Sequence, residues 1–153
     1  MVHLYTDGAA SGNPGPGGYA LILEWVGKGH TKTHSQGYKH TTNNRMELMA
    51  VIKGLQMLKK PETDVVVFTD SKYICDAVEK KWVFGWEKKN FKNKKNTDLW
   101  KAFLEVYRKQ RVRIQWIKGH NQHPQNEWCD KAAVKASKDT TTHIEDTAYI
   151  NAQ

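Results

Sequence analysis

The chain reads as an α/β domain built on a mixed sheet, and three observations predict it. Strand-like segments cluster near the start, and a continuous apolar run, Val65-Val66-Val67-Phe68, stands between helical patterns. A last alternating strand, Val112, Ile114 and Trp116, follows a further helix. Neighbouring strands pair through hairpins, whereas strands separated by helices return parallel. The order β-β-β-α-β-α-α-β-α therefore specifies an antiparallel meander joined to parallel crossovers, with helices on the sheet faces.

Val2 to Thr6 alternates apolar and polar side chains, as a half-buried strand does. Asp7 to Gly18 is dense in Gly and Pro and predicts a turn-rich loop. Tyr19 to Val26 predicts a second strand, Gly27-Lys28-Gly29 a hairpin break, and Thr31 to Tyr38 a third strand. Leu48, Val51, Ile52, Leu55 and Leu58 recur at helical spacing until Pro61 stops them. The run from Val65 to Phe68 predicts a strand covered on both faces. A helix follows from about Ser71 into the Val78 region, and Trp100, Phe103, Leu104 and Tyr107 mark another. Gly119 to Gln125 predicts a loop, and a final helix passes through Ala132, Ala133 and Ala136. Residues 1–137 read as one domain, and 138–153 as a polar, Thr-rich tail expected to be loose.

With 153 residues, the chain is long enough for a substantial core. A hydrophobic share of 39% argues against a disordered polymer. Its 24 Lys+Arg against 16 Asp+Glu leave a net charge of +8, which suits a phosphate-rich partner. No apolar stretch is long enough to span a bilayer, and the start lacks the order of a secretory signal. The expectation is a soluble, cytoplasmic monomer with no membrane role. Cys75 and Cys129 stand far apart without zinc-ligand spacing and read as buried thiols.

Against this basic background four acids stand at element boundaries: Asp7 ends the first strand, and Asp70 the apolar one. Glu47 lies in the first turn of one helix, and Asp130 in the first turns of another. Each has an ordinary alternative. Asp70 could cap the helix starting at Ser71, and Glu47 could close a capping box with Asn44. Asp7 could be a turn residue, and Asp130 a surface acid. Jointly they suggest more, because ligand sites in open α/β sheets form at carboxyl ends of strands. Converging carboxylates repel unless cations neutralise them, and hard divalent cations take oxygen ligands. Two such ions can activate a water and stabilise a leaving oxygen in phosphoryl displacement.

Several segments carry a resemblance. They are Tyr5-Thr6-Asp7-Gly8, Gly12-Asn13-Pro14-Gly15-Pro16-Gly17-Gly18-Tyr19, Thr41-Thr42-Asn43-Asn44-Arg45-Met46-Glu47-Leu48, Thr69-Asp70-Ser71, and Gly119-His120 with Asn126-Glu127-Trp128-Cys129-Asp130. In this order, and with Glu145-Asp146-Thr147 near the end, they resemble bacterial type 1 ribonuclease H over nearly the whole chain. The resemblance implies a ribonuclease H-like fold with a mixed five-stranded sheet. It implies an endonuclease that hydrolyses the RNA strand of RNA–DNA hybrids with Mg²⁺ or Mn²⁺, leaving 5′-phosphate and 3′-hydroxyl ends. Carried over by position, Asp7, Glu47, Asp70 and Asp130 form the metal-binding catalytic set, and His120 assists proton transfer or product departure. The resemblance further implies substrate contacts at Gly8, Asn13, Asn43, Asn44 and Lys72, with Thr42 and Asn96 forming a pocket for a DNA phosphate. Two positions depart from the family pattern: Lys72 stands where Gln is common, and His40 where Arg often supports the DNA phosphate. Lys72 replaces an amide that donates and accepts with a donor-only cation.

From Lys80 to Lys95 there are seven lysines and one acid, Glu87, interleaved with Trp82, Phe84, Trp86 and Phe91. A solvated segment with core tryptophans is the ordinary explanation. The segment also resembles the family's basic handle, which implies backbone contacts from Trp82, Trp86, Lys88 and Lys89. Such contacts give salt-dependent affinity without sequence preference.

An integrase, transposase or resolvase of the same broad fold would share the acids but is not expected to carry both the Gly12–Tyr19 and Thr41–Leu48 segments. A basic binding module without activity is expected to have lost one of the acids.

Overall fold

The computed structural model describes residues 1–118 and 123–152. Five strands form one sheet: β1 (Val2–Ala10), β2 (Gly15–Trp25), β3 (His30–Thr41), β4 (Asp64–Thr69) and β5 (Arg111–Trp116), in the order β3-β2-β1-β4-β5. β1–β2 and β2–β3 are antiparallel, while β1–β4 and β4–β5 are parallel. The helices are α1 (Asn43–Gln56), α2 (Lys72–Glu79), α3 (Trp82–Lys88), α4 (Thr97–Lys109), α5 (Pro124–Lys138) and α6 (Thr147–Asn151). Among the described residues, no helix is long and apolar enough to cross a membrane.

Strand alternation divides the interior into two unequal cores. Val2 and Leu4 of β1 point with Leu21, Leu23, Val65 and Val67 toward α1, α2 and α4, where Trp100 and Phe103 are fully buried. Each such aromatic contributes about 1.5–3 kcal/mol by leaving water. Tyr5, Ala20 and Ile22 point the other way and meet Cys129 and Ala133 of α5. That helix lies close to the sheet, because a Cβ at Gly18 would come within 2.6 Å of the Ser137 backbone nitrogen. Cys75 and Cys129 are both buried and free.

The strands nearest the acids extend further than composition predicts. Instead of one long loop from Asp7 to Gly18, β1 runs through Gly8 to Ala10 and β2 starts at Gly15, so only 11–14 turn. Glycine reads locally as a breaker. Here Gly8, Gly17 and Gly18 are strand residues that admit helix backbone or side chains at close range. Val66 and Phe68 are only half-buried, so β4 is less covered on its α5 side than an apolar run suggests.

The remaining differences lie at helix ends. α1 begins at Asn43, with Thr42 as N-cap accepting from the Arg45 N–H at 3.2 Å, which places Glu47 in the second turn. Asn44 is inside the helix, and the capping-box reading of Asn44 and Glu47 fails. Ser71, not Asp70, caps α2, its hydroxyl accepting from the Ile74 N–H at 3.2 Å. The segment after Lys138, expected to be loose, holds a 3-10 turn at Thr140–Thr142 and α6. Its Asp146 is buried against Arg45, an ion pair at 2.7 Å. Composition suggests a solvated tail there, whereas the buried Asp146 and the Ile144 backbone bonds to β3 hold it against the domain.

Candidate active site

β1 and β4 are adjacent and parallel, and Tyr5 pairs with Phe68. Asp7 and Asp70 each stand two residues further along, so both reach the same end of the sheet on neighbouring chains. Glu47 comes from α1, whose second turn crosses β1 at Gly8. A Cβ at Gly8 would lie 2.5 Å from the Glu47 backbone nitrogen, a distance only glycine permits. The Gly8 N–H donates to Asp7 Oδ1 at 2.9 Å and to Glu47 Oε1 at 3.0 Å, tying two carboxylates to one donor.

Asp7, Glu47 and Asp70 each offer an oxygen, and these oxygens lie within 4.8 Å of one another. Asp7 and Glu47 are each 4% exposed. Burial, with the negative charge of Asp70, raises the Asp7 carboxyl to about 7, although hydrogen bonds from Gly8 and with Glu47 oppose the rise. Burial first, and then Asp7, drive Glu47 well above the usual carboxylate range. Glu47 Oε2 is buried with no hydrogen-bond partner among the described residues. A buried carboxylate oxygen without a donor, beside two further carboxylates, is the donor set of a hard divalent cation. The residues fit such an ion.

Asp130, half-buried on α5, lines the same pocket of about 430 Å³ but stands outside the group of three. Gly8, Asn43, Asn44, Lys72 and Tyr73 line it too. Lys72 Nζ sits 4.2 Å above the Trp116 ring, and the Trp116 indole N–H donates to the Asp70 carbonyl at 3.2 Å. His120 lies outside the described residues.

Most of the other implied contact residues fall into two further pockets. Asn13, Thr42, Asn44 and Asn96 meet in one of about 710 Å³, which Lys94 and Lys95 also line. Asn13 Oδ1 accepts from the Asn43 N–H at 3.1 Å, linking the β1–β2 turn to the start of α1. Trp82, Trp86 and Lys89 line another of about 670 Å³ with Lys81, Lys92 and Lys94. Lys94 Nζ lies 4.9 Å from the Trp86 ring, and Trp82 is 48% exposed, so that tryptophan is not core. Lys88 is exposed near the end of α3 and does not line that pocket. His40 lies beside Tyr149 with the rings tilted 40° and their centroids 5.7 Å apart.

Sequence reasoning missed Tyr73, Arg45 and Trp116. Tyr73 follows Lys72 in the first turn of α2, so a helix starting just after Asp70 carries a weak signal for it. Arg45 sits within the Thr41–Leu48 segment, yet its acidic partners at 98 and 146 are distant in sequence. Trp116 reads as strand core, and its pairing with Thr69 places it beside Asp70 instead.

The RNase H family model matches residues 1–138. The ribonuclease H of Helicobacter acinonychis is 50% identical over 132 residues, covering 86% of this chain and 90% of that protein. The ribonuclease H of Escherichia coli is 43% identical, covering 97% of this chain and 96% of its own. Among solved structures, a type 1 RNase H with the type 2 active-site motif superposes with a TM-score of 0.77 at 32% identity, covering 89% of this chain and 71% of that one. The LC11 enzyme, solved in complex with RNA/DNA hybrid, shares the fold with a TM-score of 0.72 at 23% identity, over 92% of this chain and 99% of its own. A matching family model over this span, with relatives near half identity along their own lengths, fixes the assignment: the chain belongs to the RNase H family, as a type 1 ribonuclease H of the bacterial kind.

Proposed function

We propose that this ribonuclease H hydrolyses the RNA strand of RNA–DNA hybrids internally, leaving 5′-phosphate and 3′-hydroxyl ends, at the pocket of Asp7, Glu47, Asp70 and Asp130. The observation that carries this is the convergence of Asp7, Glu47 and Asp70 within 4.8 Å in a chain of charge +8. Those three would hold Mg²⁺, or Mn²⁺ in its place, and Asp130 of α5, which lines the same pocket, would complete the set. A bound divalent cation supplies Lewis acidity and lowers the pKa of water at the scissile phosphate.

The protein's own residues do the rest. The Gly8 N–H fixes one oxygen each of Asp7 and Glu47 and so holds the two carboxylates together, leaving the buried Glu47 Oε2 without a partner among the described residues. Lys72, which lines the pocket, supplies a cation for a phosphate oxygen of the strand being cut. His120 takes or returns a proton as product leaves, a role open to an imidazole because its two ring nitrogens can donate and accept. Asn13, Asn43 and Asn44 offer amide and backbone groups to a 2′-hydroxyl, which donates and accepts. Thr42 and Asn96 take a DNA phosphate, and Trp82, Trp86, Lys88 and Lys89 follow the backbone beyond it. We place the catalytic unit at 1–137, followed by a C-terminal segment 138–153, in a cytoplasmic, monomeric protein.

A hybrid with each strand labelled separately, incubated with Mg²⁺, Mn²⁺ or chelator, tests this. The expected result is metal-dependent internal cuts in RNA alone. Cleavage of duplex DNA, or equal cutting of both strands, would favour the integrase and resolvase class instead.

A further inference from the structure

The C-terminal segment carries a device outside the carboxylate pocket. Asp146 is 3% exposed, while its neighbours Glu145 and Thr147 are exposed. Arg45 grips both of its oxygens, Nε donating to Oδ2 at 2.7 Å and Nη2 to Oδ1 at 3.0 Å. The Thr41 hydroxyl adds a bond to Oδ2 at 2.7 Å. The far side of the guanidinium holds Asp98, with Nη1 donating to Oδ1 at 2.9 Å and Nη2 to Oδ2 at 2.7 Å.

Arg45 has one further acceptor. Its Nη1 donates to Asn96 Oδ1 at 3.3 Å. Asn96 Nδ2 in turn donates to the Tyr73 hydroxyl at 3.1 Å, and that hydroxyl also accepts from the Trp100 indole at 2.8 Å. The Asn96 amide is therefore oriented from both ends. Its oxygen faces Arg45, and its second N–H remains for an anion. With the amide reversed, it would turn its oxygen toward the phosphate and repel it. The chain of contacts starts at Asp146 and ends at Tyr73, which lines the carboxylate pocket.

The same segment also forms a wall. Ala148, Tyr149 and Ala152 line the pocket that Asn13, Thr42, Asn96, Lys94 and Lys95 share. The Tyr149 ring stands 5.7 Å from the Arg45 guanidinium. Ile144 pins the segment to the edge strand β3, its N–H donating to the Gly37 carbonyl at 3.2 Å and its carbonyl accepting from Lys39 at 2.9 Å.

We propose that residues 139–152 belong to the polynucleotide grip: α6 walls the pocket for a backbone phosphate, and Asp146 is a positioning residue that orients Asn96 through Arg45. This deepens, and rests on, the hybrid-cleaving function proposed above. A purely structural ion cluster would alter stability alone, whereas a positioning role alters affinity and couples it to Asn96.

The test uses the full chain with Asp70→Asn as a non-cleaving background, and measures affinity for a defined RNA–DNA hybrid well below each variant's Tm. Asp146→Asn weakens binding about tenfold, the scale of one charge-assisted hydrogen bond, and Asp146→Glu recovers part of it. In an Asn96→Ala background the same Asp146→Asn change has less than about a twofold effect. Tyr149→Ala removes the aromatic wall while keeping the Arg45–Asp146 ion pair; it weakens binding beyond what its own change in Tm explains, and serves if Asp146→Asn does not fold. The proposal is overturned if the Asp146 and Asn96 effects multiply independently, if Asp146→Asn lowers Tm with affinity intact, or if Tyr149→Ala binds as well as the parent. A parent chain that neither binds nor cuts hybrid would instead sink the function on which the proposal rests.

Discussion

Gly8 and Glu47 are in direct contact: the glycine N–H donates to the glutamate carboxylate at 3.0 Å, and a methyl group on that glycine would meet the glutamate's own backbone 2.5 Å away. The contact sets how closely α1 approaches β1, and hence whether Glu47 reaches Asp7. Gly8→Ala is expected to push α1 outward. Overpacking of this kind costs about 1–3 kcal/mol, and kcat should fall far more than Tm suggests. Steady-state kinetics beside urea unfolding check this; near-normal kcat would mean the helix accommodates the methyl group.

Asp70→Asn removes a charge from the group of three without changing its shape. Turnover should fall by at least about a thousandfold, as when a group that stabilises charge at the reacting centre is removed. Hybrid affinity should persist, because Asp70→Asn leaves in place Lys72, Asn43 and Asn44 in the same pocket and the contacts at Asn96, Trp82 and Lys89 in the other two. Gel-shift and cleavage assays on one preparation separate the two; substantial Mg²⁺-dependent turnover would remove Asp70 from the assigned set.

Without metal, the same cluster is a liability whose sign follows from proton linkage. Asp7 is raised from 3.8 to about 7 by burial and by Asp70, so the folded chain binds its proton more tightly than the unfolded one. Its contribution to stability is full below about pH 4 and is lost as pH rises through 7. Asp7→Asn should therefore be more stable than the parent at pH 8 in chelator, by roughly 1–3 kcal/mol, with the advantage fading toward pH 4. Urea unfolding at both pH values measures it. Equal stability at pH 8 would mean that the cluster is relieved in some other way.

Neutralising Lys88, Lys89, Lys92, Lys94 and Lys95 together should raise KM and flatten its salt dependence while kcat changes little. Every phosphate that a lysine ceases to neutralise takes about 0.9 from the slope of log affinity against log salt. Kinetics from low to moderate salt read the slope directly. An unchanged KM at moderate salt would show that the lysines do not hold the backbone.

Much of this architecture is written in local pattern. The apolar Val65–Phe68 run and the helical spacing from Leu48 to Leu58 identify β4 and α1, because burial imposes those periods. Asp7 and Asp70 could be paired from their places on adjacent strands. What stayed hidden depends on distant partners. Thr42 and Asn44 are both acceptable caps, and only the start of α1 chooses between them. Gly8 looks like a turn residue until a helix crosses it. Asp146 looks like a solvated acid in a polar tail, since nothing nearby in sequence announces Arg45. Asp70 and Ser71 show the reverse case: once Ser71 caps α2, capping no longer explains Asp70.

Cys129 immediately precedes Asp130 on α5, is wholly enclosed, and rests its sulfur 3.5 Å from the Tyr5 carbonyl. Burial pushes its thiol far above the ordinary range, and that of Cys75 up to about 11, so neither reacts while the fold is shut. Alkylation of Cys129 therefore waits on any opening that parts α5 from the sheet, local or global, so its rate times that opening. Timing that labelling with and without divalent ions would show whether loading the acidic centre clamps the helix that bears Asp130.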